Sequence, residues 1–255
     1  MRNIISILLI FVCIFFVLDF SCIHQPLWYP LEYRLGDAVC VWSSSRCYNP
    51  FTQYRIWSNY PQTSIAYQYT HSTRFPQQWQ ILNNIVQTKN IPKCYKNIPI
   101  VIHLRLGDVI ENHKRTVQDF WDGVGFTLKM QYIEQYEGFI RPRQFYECVH
   151  DHLSHNNKNM KHVIILTGTH KPIQMIKSKQ YVKCVESFFK EHGYSVFVKE
   201  SIPCSIEDAD IDFSIMCKGK VFIPSGGNFS RSAGKCVELS GGSVITPELF
   251  NLHTK

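Results

Sequence analysis

From residue 98 onward the chain alternates short β-branched apolar runs with longer amphipathic stretches. Runs at 98–104, 161–166, 194–198, 221–223 and 243–245 read as strands, and stretches at 143–153, 173–192, 205–217 and 229–239 read as helices. Ser205 with Asp208 three positions on has the form of a helix start, and Gly193 fits a helix stop. Strand and helix in alternation predict a parallel, doubly wound α/β sheet. Residues 23–97 read differently. They are rich in Tyr, Trp, Gln and Ser, between the proline-bearing stretches PLWYPLEY and NIPKCYKNIP. A helix is expected at 77–87 and another after Gly36-Asp37. So short a segment has a thin core, and it is expected to pack on the second half of the chain rather than stand alone.

The polar positions that interrupt this pattern carry the chemistry. In VIHLRLGD, residues 101–108, an apolar strand ends in a histidine, an arginine and an aspartate. Alternation turns Ile100, Ile102 and Leu104 one way and Val101, His103 and Arg105 the other. Gly107 ends the strand, so His103 and Arg105 stand at its carboxyl end, where open α/β sheets bind ligands. Arginine's fork of donors suits a phosphate. The plain structural alternative is a local Arg105–Asp108 ion pair with His103 a half-buried, satisfied side chain.

A second constellation is VFIPSGGNFSRSAGKCVEL, residues 221–239, a strand followed by Ser225, two glycines, Asn228 and a helix starting near Phe229 or Ser230. Such a helix N-terminus attracts an anion. The plain alternative is a tight turn with a serine cap. One helix upstream lies Asp212, in EDADIDF, a carboxylate able to accept from the N–H edge of a guanine. It reads equally as part of a solvated acidic helix start.

Composition places the chain among ordinary globular proteins, with 45% hydrophobic and 18% charged residues, and excludes a disordered or fibrous one. The net charge of +7 is spread along the chain, which suits a small anionic ligand and gives no nucleic-acid stripe. The start is the exception. Arg2 precedes an apolar run at 4–18, shorter than the roughly 20 residues a bilayer span needs. Residues 1–22 therefore read as a signal peptide or a type II membrane anchor. No small-x-small pair marks a cleavage site around Phe20-Ser21-Cys22, which tips the balance to an anchor. Either way the rest is expected in the lumen of the secretory pathway, or outside the cell. Apart from Cys13 and Cys22, an even set of cysteines suits disulfides there, and no C-x-x-C favours a metal.

HLRLGD resembles the His-x-Arg-Arg-Gly-Asp motif of GDP-fucose-dependent fucosyltransferases, most closely the α-1,2 type. DFSIMCKGKVFIPSGGNFSRSA is similar to that family's later motif, and RPRQFYECVHDHL to the helix between them. YRLGD, at 33–37, resembles the glycine turn that faces the cleft in the first domain, with Gly36 as its useful residue. The resemblance implies a GT-B-like α/β fold of two Rossmann-like halves: an abbreviated N-terminal, acceptor-side domain at 23–97 and a nucleotide-sugar-binding domain at 98–255. It implies an inverting, metal-independent enzyme of the Golgi or endoplasmic reticulum membrane, with no cofactor, GDP-fucose as donor and a glycan or glycoprotein as acceptor. By position, Arg105 would hold the β-phosphate, His103 the ribose or base and Asp212 the guanine. Ser225 and the Asn228, Phe229 and Ser230 turn would cradle the diphosphate, and Asp108 is the best-placed base, with Glu111 and Asp37 as alternatives.

The chain departs from the family's pattern in four places. Leu106 stands where the family has a second arginine, TGTH at 167–170 lacks the usual carboxylate, Arg231-Ser232 replaces an aromatic pair, and the first domain is short. These departures keep open a glycosyltransferase of another nucleotide sugar and a degenerate, non-catalytic binding protein.

Overall fold

The computed structural model describes residues 61–72, 77–124, 140–168, 174–203 and 205–250. The expected anchor at 1–22, the turn at Gly36-Asp37, and Cys13, Cys22, Cys40, Cys47 and Cys204 lie outside the described residues. Among the described residues no helix is long and apolar enough to cross a membrane.

Five parallel strands form one sheet: β1 (Ile100–Arg105), β2 (His162–Gly168), β3 (Ser195–Glu200), β4 (Val221–Ile223) and β5 (Ser243–Val244). Their order is β3-β2-β1-β4-β5. The chain builds outward from β1 through β2 to β3, then crosses back to lay β4 on the other side of β1. The strand order reverses between β1 and β4, and that is the topological switch point where such sheets bind ligands.

The helices are α1 (Ile65–Ser72), α2 (Gln78–Thr88), α3 (Asp108–Glu111), α4 (Val117–Asp122), α5 (Arg143–Asn156), α6 (Ile176–Glu191), α7 (Ile206–Lys218) and α8 (Gly227–Leu239). Alternation along β1 divides them into two layers. Ile100, Ile102 and Leu104 join Phe120, Tyr146, Val149, Tyr181 and Phe188 in the core under α4, α5 and α6. Val101 joins Ile164, Phe213, Phe222 and Val237 in the core under α7 and α8. Ile65, Tyr69, Leu82 and Val86 of α1 and α2 belong to that second core. The described part of the 23–97 segment thus packs on α7 and α8, which lie between it and the sheet.

Local signals account for the helix ends. The Ser205 hydroxyl accepts the Asp208 amide at 3.1 Å to start α7. Thr116 and Asp119 form a reciprocal capping box on α4. Gly193, at φ 79°, follows α6. The start of α6 is capped from a distance, because Glu111 of α3 accepts the Ser178 amide at 2.8 Å and the Lys177 amide at 3.2 Å. Glu111 is therefore a capping group of α6, which corrects its place among the candidate bases. The cysteines among the described residues, Cys94, Cys148, Cys184, Cys217 and Cys236, are thiols.

Asp210 ties α1 to α7 by accepting the Ile65 amide at 2.8 Å. Burial pushes its carboxyl up to about 6, with the Ile65 amide and Lys89 pulling the other way. A carboxyl raised above its unfolded value of about 3.9 holds its proton more tightly in the folded state. Its contribution to stability is fully present below that unfolded value and is lost as pH rises through about 6. Asp210→Asn should flatten the fall in thermal midpoint between about pH 4 and about pH 7. A variant with the wild-type slope would show that another group sets it.

Candidate functional site at the switch point

The β1–β4 ladder ends at the Ile102–Ile223 pair, whereas β1 continues beside β2 as far as Arg105 and Gly168. Beyond Ile102 the two strands no longer pair, and the polar residues of both motifs fill the crevice. His103 Nδ1 lies 2.6 Å from the Ser230 hydroxyl and 3.2 Å from the Ser225 hydroxyl. The Arg105 amide donates to Ser225 Oγ at 3.0 Å. With Ser225 Oγ accepting from Arg105, its own proton is available to His103 Nδ1.

Phe229 packs edge-on to the His103 ring at 5.7 Å and against Phe213 of α7 at 5.3 Å. Gly226 and Gly227 have φ of 111° and 76°, a region closed to most side chains, and they swing the chain from β4 into α8. Asn228 lies in the first turn of α8. The N-terminal end of α8, with its unpaired amides and partial positive charge, thus faces the crevice beside His103.

The structure therefore brings together His103, Arg105, Ser225, Phe229 and Ser230, with Asn228 in the same turn. Ser225 does not act as a helix cap, because its side chain is turned to β1. Leu106 is 2% exposed in the core under α6, as alternation required. Asp108 opens α3, and its Oδ1 is buried and accepts no hydrogen bond from any described residue. Gly36 lies outside the described residues.

Asp212 is placed elsewhere. It is 5% exposed, its Oδ1 is 2.6 Å from Lys199 Nζ, and its Oδ2 accepts from the Ser201 hydroxyl. Asp208 Oδ1 meets the same ammonium at 2.7 Å. Burial raises the Asp212 carboxyl, although Lys199 and Ser201 pull it down. Burial also lowers the Lys199 ammonium, but its hydrogen bonds to Asp208 and Asp212 outweigh that and leave it raised. Asp212 is thus neither a solvated helix-start residue nor directed at the His103 cluster. It is half of a buried carboxylate pair around one lysine.

Two functional-looking residues had no sequence signal of their own. Lys199 is a single polar position near the end of a β-branched run. Arg141 precedes α5, and its Nη2 donates to the Ser225 carbonyl at 3.4 Å. Arg141 opens the stretch RPRQFYECVHDHL, whose resemblance to a family helix was the only available pointer.

No protein-family model matches the chain. Nor does any curated protein. The geometry of the crevice carries the functional reading.

The carboxylate pair around Lys199 gives a direct test of this electrostatic arrangement. Lys199→Met should cost about 3–5 kcal/mol, because it leaves the buried Asp212 and the partly buried Asp208 without their cation. Urea denaturation measures it, and a loss below about 1 kcal/mol would mean that the carboxylates are hydrated rather than buried.

Proposed function

We propose that the chain is an inverting, metal-independent glycosyltransferase that transfers fucose from GDP-fucose to a glycan hydroxyl. The observation that carries this reading is the convergence of His103, Arg105, Ser225 and Ser230 at the β1–β4 switch point, beside the N-terminus of α8. A guanidinium and a helix N-terminus are complementary to a departing diphosphate, and they stabilise its charge as it develops. In a single displacement the acceptor oxygen attacks the anomeric carbon, the bond to the phosphate oxygen breaks, and Asp108 takes the acceptor proton. His103 contacts the ribose or the base. A GT-B-like fold of two Rossmann-like halves and a place on the lumenal side of a Golgi or endoplasmic reticulum membrane belong to the same reading.

A second reading, a nucleotide-sugar-binding protein without turnover, is favoured by one observation. The carboxylate expected to read guanine is held by Lys199 and Ser201. Thermal-shift titration with GDP, UDP and CMP tests the donor class, and transfer to a glycan array separates enzyme from binder. The proposal expects a GDP-specific shift and transfer that survives EDTA. Activity lost with EDTA and restored by manganese would overturn the mechanism.

Arg105→Ala should lower GDP affinity about tenfold or more, the scale of a hydrogen bond to a charged group, and Lys should rescue it poorly. Unchanged GDP binding would remove Arg105 from the site. The sequon Asn228-Phe229-Ser230 should carry no glycan. Asn228 lies in a helical turn, the Ser230 hydroxyl is fully buried against His103, and a glycan there would fill the donor crevice. PNGase F treatment of active protein should cause no mass shift, and a stoichiometric glycan on Asn228 would sink the phosphate-loop assignment.

A further inference from the structure

Arg141 is held as few surface arginines are. Its amide donates to the Tyr181 hydroxyl at 3.0 Å, and that hydroxyl donates back to the Arg141 carbonyl at 2.5 Å. The Tyr181 hydroxyl is itself 3.0 Å from that of Tyr146, with both rings in the core. The backbone of residue 141 is therefore fixed by α5 and α6 together. The guanidinium lies 5.7 Å above the Phe145 ring, and Nη2 reaches the Ser225 carbonyl. Ser225 is thus shared by two arginines. Its hydroxyl takes the Arg105 amide from β1, and its carbonyl takes the Arg141 side chain from the α5 layer.

We propose that Arg141 is the second cation of the anion site, contacting the terminal phosphate of a bound nucleoside diphosphate from the side opposite His103. This rests on the nucleotide-site reading above. Three observations carry it. The backbone is tied to Tyr181 and the guanidinium is held over Phe145, so the side chain presents its fork with little loss of rotamer freedom. Its bond to the Ser225 carbonyl is long at 3.4 Å, a weak contact that a phosphate oxygen can replace. Burial removes water from the guanidinium and lowers its proton affinity, with only smaller opposing effects from Tyr146, Tyr181 and Glu248. An arginine stays charged through such a shift, and a charge stripped of water attracts an anion more strongly. Position 106, the other place for a second cation, holds a core leucine. The strand offers one guanidinium and the helix layer the other.

The experiment compares GDP, GMP and inorganic pyrophosphate on the full chain by isothermal titration. Arg141→Met should weaken GDP and pyrophosphate about tenfold or more and change GMP by less than about threefold, because only the terminal phosphate loses a contact. Arg141→Lys keeps the charge and loses the fork, and should give an intermediate GDP loss with GMP again unmoved. If the Met variant does not fold, the Lys variant carries the test. An equal fall in GDP and GMP would make Arg141 a prop for the Ser225 loop and overturn the inference, as would unchanged GDP affinity. A wild type that binds pyrophosphate in an Arg141-dependent way, but shows no preference for GDP over UDP or CMP, would sink the donor assignment and leave the anion site standing. A wild type that binds none of the probes would end both.

Discussion

One serine hydroxyl spans the gap on which the crevice depends. β1 and β4 stop pairing at Ile102 and Ile223, because β4 ends there while β1 runs on to Arg105. Strands that part leave backbone donors facing open space, and a buried donor without a partner is costly. Ser225 Oγ accepts the Arg105 amide and meets His103 Nδ1, so one atom supplies the missing ladder partner and also orients the ring. Ser230, one turn into α8, reaches the same nitrogen. The crevice stays open because these side chains, rather than further strand pairing, join its walls.

The acidic stretch EDADID shows how little a run of like charges says about its use. On α7 residues four apart share a face, so Asp208 and Asp212 converge on Lys199. Asp210, between them, points away and accepts the Ile65 amide. The three carboxylates therefore act in two separate places. One joins α1 to α7, and two anchor α7 to the end of β3. A base-reading residue would have needed at least one of them turned to the crevice.

Much of the architecture was legible because burial dictates periodicity. The strand at 221–223 was read with its observed bounds, and the others within a few residues, since β-branched runs closed by glycine or polar groups have few alternatives. Alternation alone placed His103 and Arg105 on one face and Leu106 in the core, and the two cores confirm that division. The elements that went unread are short. α1 and α3 have little apolar periodicity, and α4 is six residues long, although the sequence TVQD at 116–119 carried its capping box in plain view. Long-range partners were not legible at all. Nothing local announces that Lys199 will meet Asp212, or Arg141 the Ser225 carbonyl, because those meetings are set by how helices pack across the sheet. Glu111 shows the same limit, since it sits beside the motif and serves the start of another helix.

The same parity constrains where positive charge can stand. Of the consecutive positions at the end of β1, only His103 and Arg105 face the α8 side, and Leu106 is sealed among Val109, Val117 and other apolar groups of the opposite core. A cation at 106 would have to leave that core or sit in it without water, at a cost of several kcal/mol. The guanidinium of residue 141 is also short of water, but it has a polar partner in the Ser225 carbonyl. The residue precedes a helix rather than belonging to a strand, its backbone is tied by the Tyr181 hydroxyl, and its long side chain lies over the Phe145 ring before reaching the loop. The aliphatic stem can stay in apolar surroundings while the guanidinium emerges at Ser225. A buried helix start is thus a cheaper place for charge than the next strand position, and the crevice can gather positive groups from both layers without opening either core.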